Sequence, residues 1–87
     1  MVFSMTISIT GPQLKAARAL ARLSGRELAQ KAQVAHGTIK RIEADPGPIQ
    51  ARTNTVRKLV AALERAGVEF IDTGAPGVRL RPQRFRR

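Results

Sequence analysis

The chain has 87 residues, no cysteine and no apolar run near the roughly 18 residues a membrane span needs, which leaves room for one small domain without disulfides or a thiolate metal site. Apolar residues make up 43% but aromatics only 3%, with neither Trp nor Tyr, so the core is expected to consist of Ala, Leu, Val and Ile on closely packed helices. Sixteen Lys and Arg against six Asp and Glu give a net charge of +10, which points to a polyanionic partner, nucleic acid ahead of an anionic membrane, with a basic surface that only keeps the chain soluble as the alternative.

Residues 1–9 alternate apolar and polar from Phe3 to Ile9, so Phe3, Met5, Ile7 and Ile9 would share one face of a strand or extended arm. A loose chain terminus is the competing reading. The segment lacks the charged start and the length of a secretory signal. Thr10 opens the first helix, with Pro12 in its first turn and Gln13 at the reciprocal capping-box position. Leu14, Ala17, Leu20 and Ala21 form its apolar stripe. Ser24-Gly-Arg-Glu27 is a second capping box, and the helix it opens is expected to end near Ala32.

Residues 24–43 read as a helix-turn-helix. Leu28 and Ala32 lie on one face of the first helix, and Ile39 and Ile42 on one face of the second, over residues 36–43. Val34 sits where it can plug the angle between them, and Ala29 is small enough for close approach. In such a unit the second helix lies in the major groove of DNA and the first crosses the backbone.

Asp45-Pro-Gly-Pro48 breaks the helical pattern. Thr53 or Asn54 can cap a fourth helix with Val56, Leu59, Val60, Leu63 and Ala66 on its apolar face. Gly67 suits the position after its end, with Val68 placed to pack back on the last turn. Val68–Ile71 and Val78–Arg81 then read as two strands of a β-hairpin around a Gly/Pro loop. Five arginines between positions 79 and 87 make a basic tail able to hold phosphate without sequence preference, or simply to keep the chain in solution. The expected organisation is an arm (1–9), a helix-turn-helix domain (10–67), a hairpin (68–81) and a tail (82–87).

The order of capped helix, helix-turn-helix, Pro/Gly turn, fourth helix and Gly-Val-Glu-Phe strand resembles the Cro/C1-type (XRE) family of helix-turn-helix regulators, in its short single-domain bacterial form. The resemblance runs from Ile9 to about Arg81. It rests on residues 13–18, Glu27-Leu28-Ala29, Thr38-Ile39-Lys40-Arg41-Ile42-Glu43 and Gly67-Val68-Glu69-Phe70. It implies a mainly α, lambda-repressor-like bundle of four to five short helices, with the hairpin and an N-terminal strand added. It also implies operator binding as a two-fold homodimer, transcriptional control and a cytoplasmic, nucleoid-associated location. Three positions depart from the family pattern: Gln33 stands where the turn normally has Gly, Ala35 where the reading helix has a capping Ser or Thr, and Gly25 where Gln usually follows the cap. With Gly37 inside it, the reading helix is expected to be less rigid than usual.

In this arrangement His36, Gly37, Thr38, Lys40 and Arg41 would face base edges, with Arg41 equally able to grip a phosphate. Gly25, Arg26 and Gln30 would hold the phosphate backbone from the first helix of the motif, and Arg52 and Thr53 from the start of the fourth. Arg57 and Lys58 are either solvated surface or further contacts. Ile7, Ile9, Val68, Phe70, Ile71, Val78 and Leu80 are the candidates for a dimer surface, since exposed strand edges pair readily with a second copy. Glu43 is expected to pair with a nearby Arg or Lys.

No cofactor is expected, and His36, the lone histidine, has no clustered partner for a metal. Paired carboxylates, a phosphate-binding glycine loop and a catalytic triad pattern are absent from the sequence, so the chain reads as a non-enzyme. The main alternative to a sequence-specific double-stranded DNA-binding repressor is a protein-binding module, an antitoxin or anti-activator on the same scaffold. A third option, RNA or non-specific nucleic-acid binding, stands lower because only Phe3, Phe70 and Phe85 could stack on bases.

Overall fold

A computed structural model describes residues 9–49, 51–71 and 76–82. Four helices come first, α1 (Gly11–Leu20), α2 (Gly25–Ala32), α3 (His36–Ala44) and α4 (Thr53–Arg65). Strands β1 (Val68–Ile71) and β2 (Gly77–Leu80) follow. The protein is therefore mainly α with a two-stranded antiparallel hairpin. The expected first strand lies outside the described residues except for Ile9, as do the hairpin loop 72–75 and the tail 83–87.

Local chemistry accounts for the first two helix starts. Thr10 Oγ1 accepts from the Gln13 N–H at 3.1 Å, and Gln13 Oε1 accepts from the Thr10 N–H at 3.0 Å. Ser24 and Glu27 exchange the same two bonds at 3.0 and 2.8 Å. Each box satisfies two of the amides that a helix start leaves unpaired. The later helices start otherwise. The residue before α3 is Ala35, whose side chain has no oxygen to offer, and α4 is preceded by Arg52, which makes no side-chain cap bond. The expectation that Thr53 or Asn54 caps α4 is thus corrected: Thr53 is already the first helical residue.

Two helices end on non-glycine residues in the left-handed region, Arg22 (φ 60°) after α1 and Gln33 (φ 59°) after α2. Such a residue costs about 1 kcal/mol, offset here by backbone bonds that close each helix end. The Leu23 N–H donates to Arg18 O at 3.1 Å, and the Val34 N–H donates to Ala29 O at 3.0 Å. Gly67 (φ 100°) closes α4 as its position in the sequence led one to expect.

The core draws on every helix and on the hairpin. Leu14, Leu28, Ile39, Leu59, Leu63 and Val68 are fully buried, and each contributes about 1.5–3 kcal/mol of apolar burial. Ile9, Val56 and Val60 form an adjoining cluster against which Ile49, Ala51 and Phe70 pack. Ile9 is held there by backbone pairing: its carbonyl accepts from the Ile49 N–H at 3.0 Å, and Thr10 bridges Pro48. The segment after α3 therefore returns to cover the start of α1. Gly11 makes this closure possible, because a side chain there would run into the carbonyl oxygens of Ile42 and Asp45 at the end of α3.

The hairpin pairs Val68 with Leu80, Glu69 with Arg79, Phe70 with Val78 and Ile71 with Gly77. Alternation puts Val68, Phe70, Val78 and Leu80 on one face, of which Val68, Phe70 and Val78 pack on the helices while Leu80 is exposed, and the Glu69–Arg79 ion pair (2.7 Å) on the other. Gln13, 6% exposed, ties the hairpin to α1 by donating from Nε2 to Gly77 O at 3.1 Å.

Candidate functional site

The α2–α3 pair is joined by the short turn through Gln33, with Leu28, Ala29 and Ala32 of α2 and Ile39 and Ile42 of α3 buried in one cluster. Val34 is half-buried against that cluster. This packing decides which way α3 faces. Gly37, Lys40 and Arg41 are exposed, while His36 and Thr38 are half-buried.

The five residues expected to face bases thus divide by environment. The imidazole of His36 packs on Gly25 at the start of α2, which brings a base candidate and a backbone candidate together. Thr38 and Arg41 line an open concavity with Ala51, Arg52 and Thr55, between α3 and the start of α4. That concavity joins the base candidates to Arg52. Thr53 is exposed on the first turn of α4 and does not line it. Arg26 and Gln30 are exposed on α2. Ala51 and Thr55 escaped the sequence reading. Helical spacing places Thr55 in the first turn of α4, but only the fold shows that this turn lies beside Thr38.

Charge is distributed unevenly over this surface. Four of the described carboxylates are engaged: Glu27 in its capping box, Asp45 on the Gly47 amide, Glu69 on Arg79 and Glu43 on Arg18, while Glu64 is exposed on α4. Arg26, Lys40, Arg41 and Arg52 form no hydrogen bond or ion pair with another described side chain. Cations without internal partners keep their full field for an approaching polyanion.

Beneath this surface, Arg18 Nε and Nη2 each reach a Glu43 carboxylate oxygen at 2.8 Å, and Arg18 Nη1 donates to Leu23 O at 3.1 Å. The hydrogen bond to Glu43 outweighs partial desolvation and holds the Arg18 pKa above the ordinary arginine value, so the guanidinium stays charged. The forked pair links the end of α1 to α3 and helps fix the tilt of the exposed face.

The expected dimer surface needs correction at two positions. Ile9 is 5% exposed and Val68 fully buried, so both side chains are committed to the protein's own core. Phe70 and Val78 are half-buried against that core. Leu80, 43% exposed, and the half-buried Ile71 remain accessible, and Ile7 lies outside the described residues. Among the described residues no group of three His, Cys, Asp or Glu could hold a metal, and no helix is long and apolar enough to cross a membrane. Comparison of the sequence with protein-family models and with curated proteins finds no match.

Proposed function

We propose that this protein is a sequence-specific double-stranded DNA-binding regulator of the Cro/C1-type (XRE) helix-turn-helix class, acting as a dimeric repressor in the bacterial cytoplasm. In this reading α3 enters the major groove. Thr38, Lys40 and Arg41 meet base edges with His36 and Gly37 beside them, while α2 holds phosphates through Gly25, Arg26 and Gln30. Arg52 and Thr53 hold the phosphates on the far side. The observation that carries the reading is the exposed Gly37–Lys40–Arg41 face of α3, on a chain of charge +10, backed by α2 and without an ion pair to any other described residue.

One reading helix spans too few base pairs for an operator, and a two-fold dimer sets two of them about 34 Å apart on one face of the duplex. Leu80, the exposed large apolar residue among those described, supports pairing with a second copy through the hairpin, with the half-buried Ile71 on its other face. Sedimentation is expected to show a dimer at tens of micromolar or on addition of DNA; a monomer under both conditions contradicts it.

The experiment that tests the function is selection of binding sites from random duplex DNA at about 150 mM salt, where weak phosphate contacts are largely suppressed. The expected result is a palindrome with half-sites about one helical turn apart. Enrichment of no sequence would favour the second reading, a protein-binding module. The uncapped start of α3 at Ala35 supports that alternative, since a helix that holds its first turn weakly is less suited to rigid base reading.

A further inference from the structure

Among the described residues nothing requires glycine at position 37. A side chain at Gly11 would strike backbone carbonyls and one at Gly25 would strike His36, whereas a Cβ at position 37 would meet nothing within 4 Å. Among the described residues Gly67 is the glycine with positive φ, so Gly37 adopts a backbone that any residue accepts. It is exposed and lies within α3, where glycine lowers helix stability relative to alanine. The fold alone would be better served by almost any other residue.

Its surroundings supply a reason. Lys40 and Arg41, three and four residues on, share the exposed face of α3. Helical side chains lean toward the N-terminus and cover the turn before their own Cα. That lean leaves the space over Gly37, which no neighbouring atom fills, within reach of Lys40 and Arg41, although Arg41 here lines the concavity toward α4.

We propose that Gly37 determines sequence specificity through the side chain it lacks. The gap lets the first turn of α3 lie close to the base edges, and lets Lys40 and Arg41 fold back into it to donate to the N7 and O6 acceptors of guanine. The inference rests on α3 being the DNA-reading helix.

The test uses the full chain, with duplexes selected from a random pool by the parent protein at about 150 mM salt. Gly37→Ala and Gly37→Gln are compared with the parent by thermal melting and by binding to a selected duplex and to an unselected duplex of equal length. Both variants are expected to melt at or above the parent temperature. Affinity for the selected duplex is expected to fall at least about tenfold for Gly37→Gln and less for Gly37→Ala, with affinity for the unselected duplex unchanged. Replacing the selected guanines by 7-deazaguanine should weaken the parent more than Gly37→Gln. Variants that bind the selected duplex as tightly as the parent overturn the proposal. So does a lowered melting temperature, which would mean that the fold itself requires glycine here. A parent protein that selects no sequence at all removes the DNA reading first and this inference with it, a result distinct from the other two.

Discussion

The imidazole of His36 occupies the space that a side chain on Gly25 would need: a Cβ at position 25 would lie 2.8 Å from His36 Nε2. The first turns of α2 and α3 are thereby seated against each other through one ring and one bare backbone position. The obstacle is the tip of a rotatable side chain, so Gly25→Ala should displace the ring at little cost. Stability is expected to stay within about 1 kcal/mol of the parent, while the base preference nearest His36 changes. Thermal melting and repeated site selection check this. A loss well beyond that range would show that the ring clamps the two helices together.

Gly11 is the opposite case, because the atoms facing it are the backbone carbonyls of Ile42 and Asp45, which cannot swing away. Gly11→Ala should force α1 and α3 apart and lower stability by about 3 kcal/mol, read as a lower urea midpoint. Melting equal to the parent's would mean that the two helices have room to move.

The Arg18–Glu43 pair is well shielded, with side chains 21% and 11% exposed. Glu43→Ala leaves a partly buried cation without its partner and should cost about 2–3 kcal/mol, while replacing both residues (Arg18→Met with Glu43→Leu) should recover part of that. Since the pair raises the Arg18 pKa, its contribution through that group is present below the ordinary arginine value and lost only as pH rises through the raised one. Across the neutral range the Arg18 term is therefore flat. A steep loss between neutral and mildly alkaline pH that disappears in Arg18→Met would contradict this.

Gln13 serves two structures at once, the start of α1 through Thr10 and the hairpin through Gly77 O. Gln13→Ala should lower stability by about 1–2 kcal/mol. Hydrogen exchange should show the hairpin amides losing protection more than those of α2 and α3, because the tether acts on β2. Uniform loss across the chain would assign Gln13 to the core alone.

On the proposed interface, Thr38→Ala with Lys40→Ala should lower specific affinity by roughly 1–3 kcal/mol per lost base contact and broaden sequence preference. Deleting residues 83–87 removes three arginines and should weaken binding to all sequences alike, with a flatter salt dependence. Binding titrations at several salt concentrations separate the two. If the deletion abolishes sequence preference and the α3 variant does not, recognition lies in the tail.

What the sequence determined by itself was whatever a few neighbouring residues settle. Thr10 with Gln13 and Ser24 with Glu27 mark helix starts because capping is a bond across three residues. The hairpin is legible as 68–71 with 78–81, one residue past the observed β2, because strand period and turn chemistry are local, whereas the turn at Gln33 is placed only by the resemblance that expects glycine there. The candidate face of α3 follows from helical spacing once Ile39 and Ile42 are taken as core. Tertiary structure decided everything that joins distant segments. Glu43 was expected to find some Arg or Lys nearby, but that its partner is Arg18, 25 residues away, follows only from the crossing of α1 and α3. Gln13 reads as a capping residue, and its second bond, to Gly77 64 residues on, exists because the hairpin folds back on α1. Ile9 carries the pattern of an exposed strand face, yet it is buried once the chain closes over it, and Val68 goes to the core beside α4 rather than to a dimer surface, because so small a core draws in the apolar side chains at its margin.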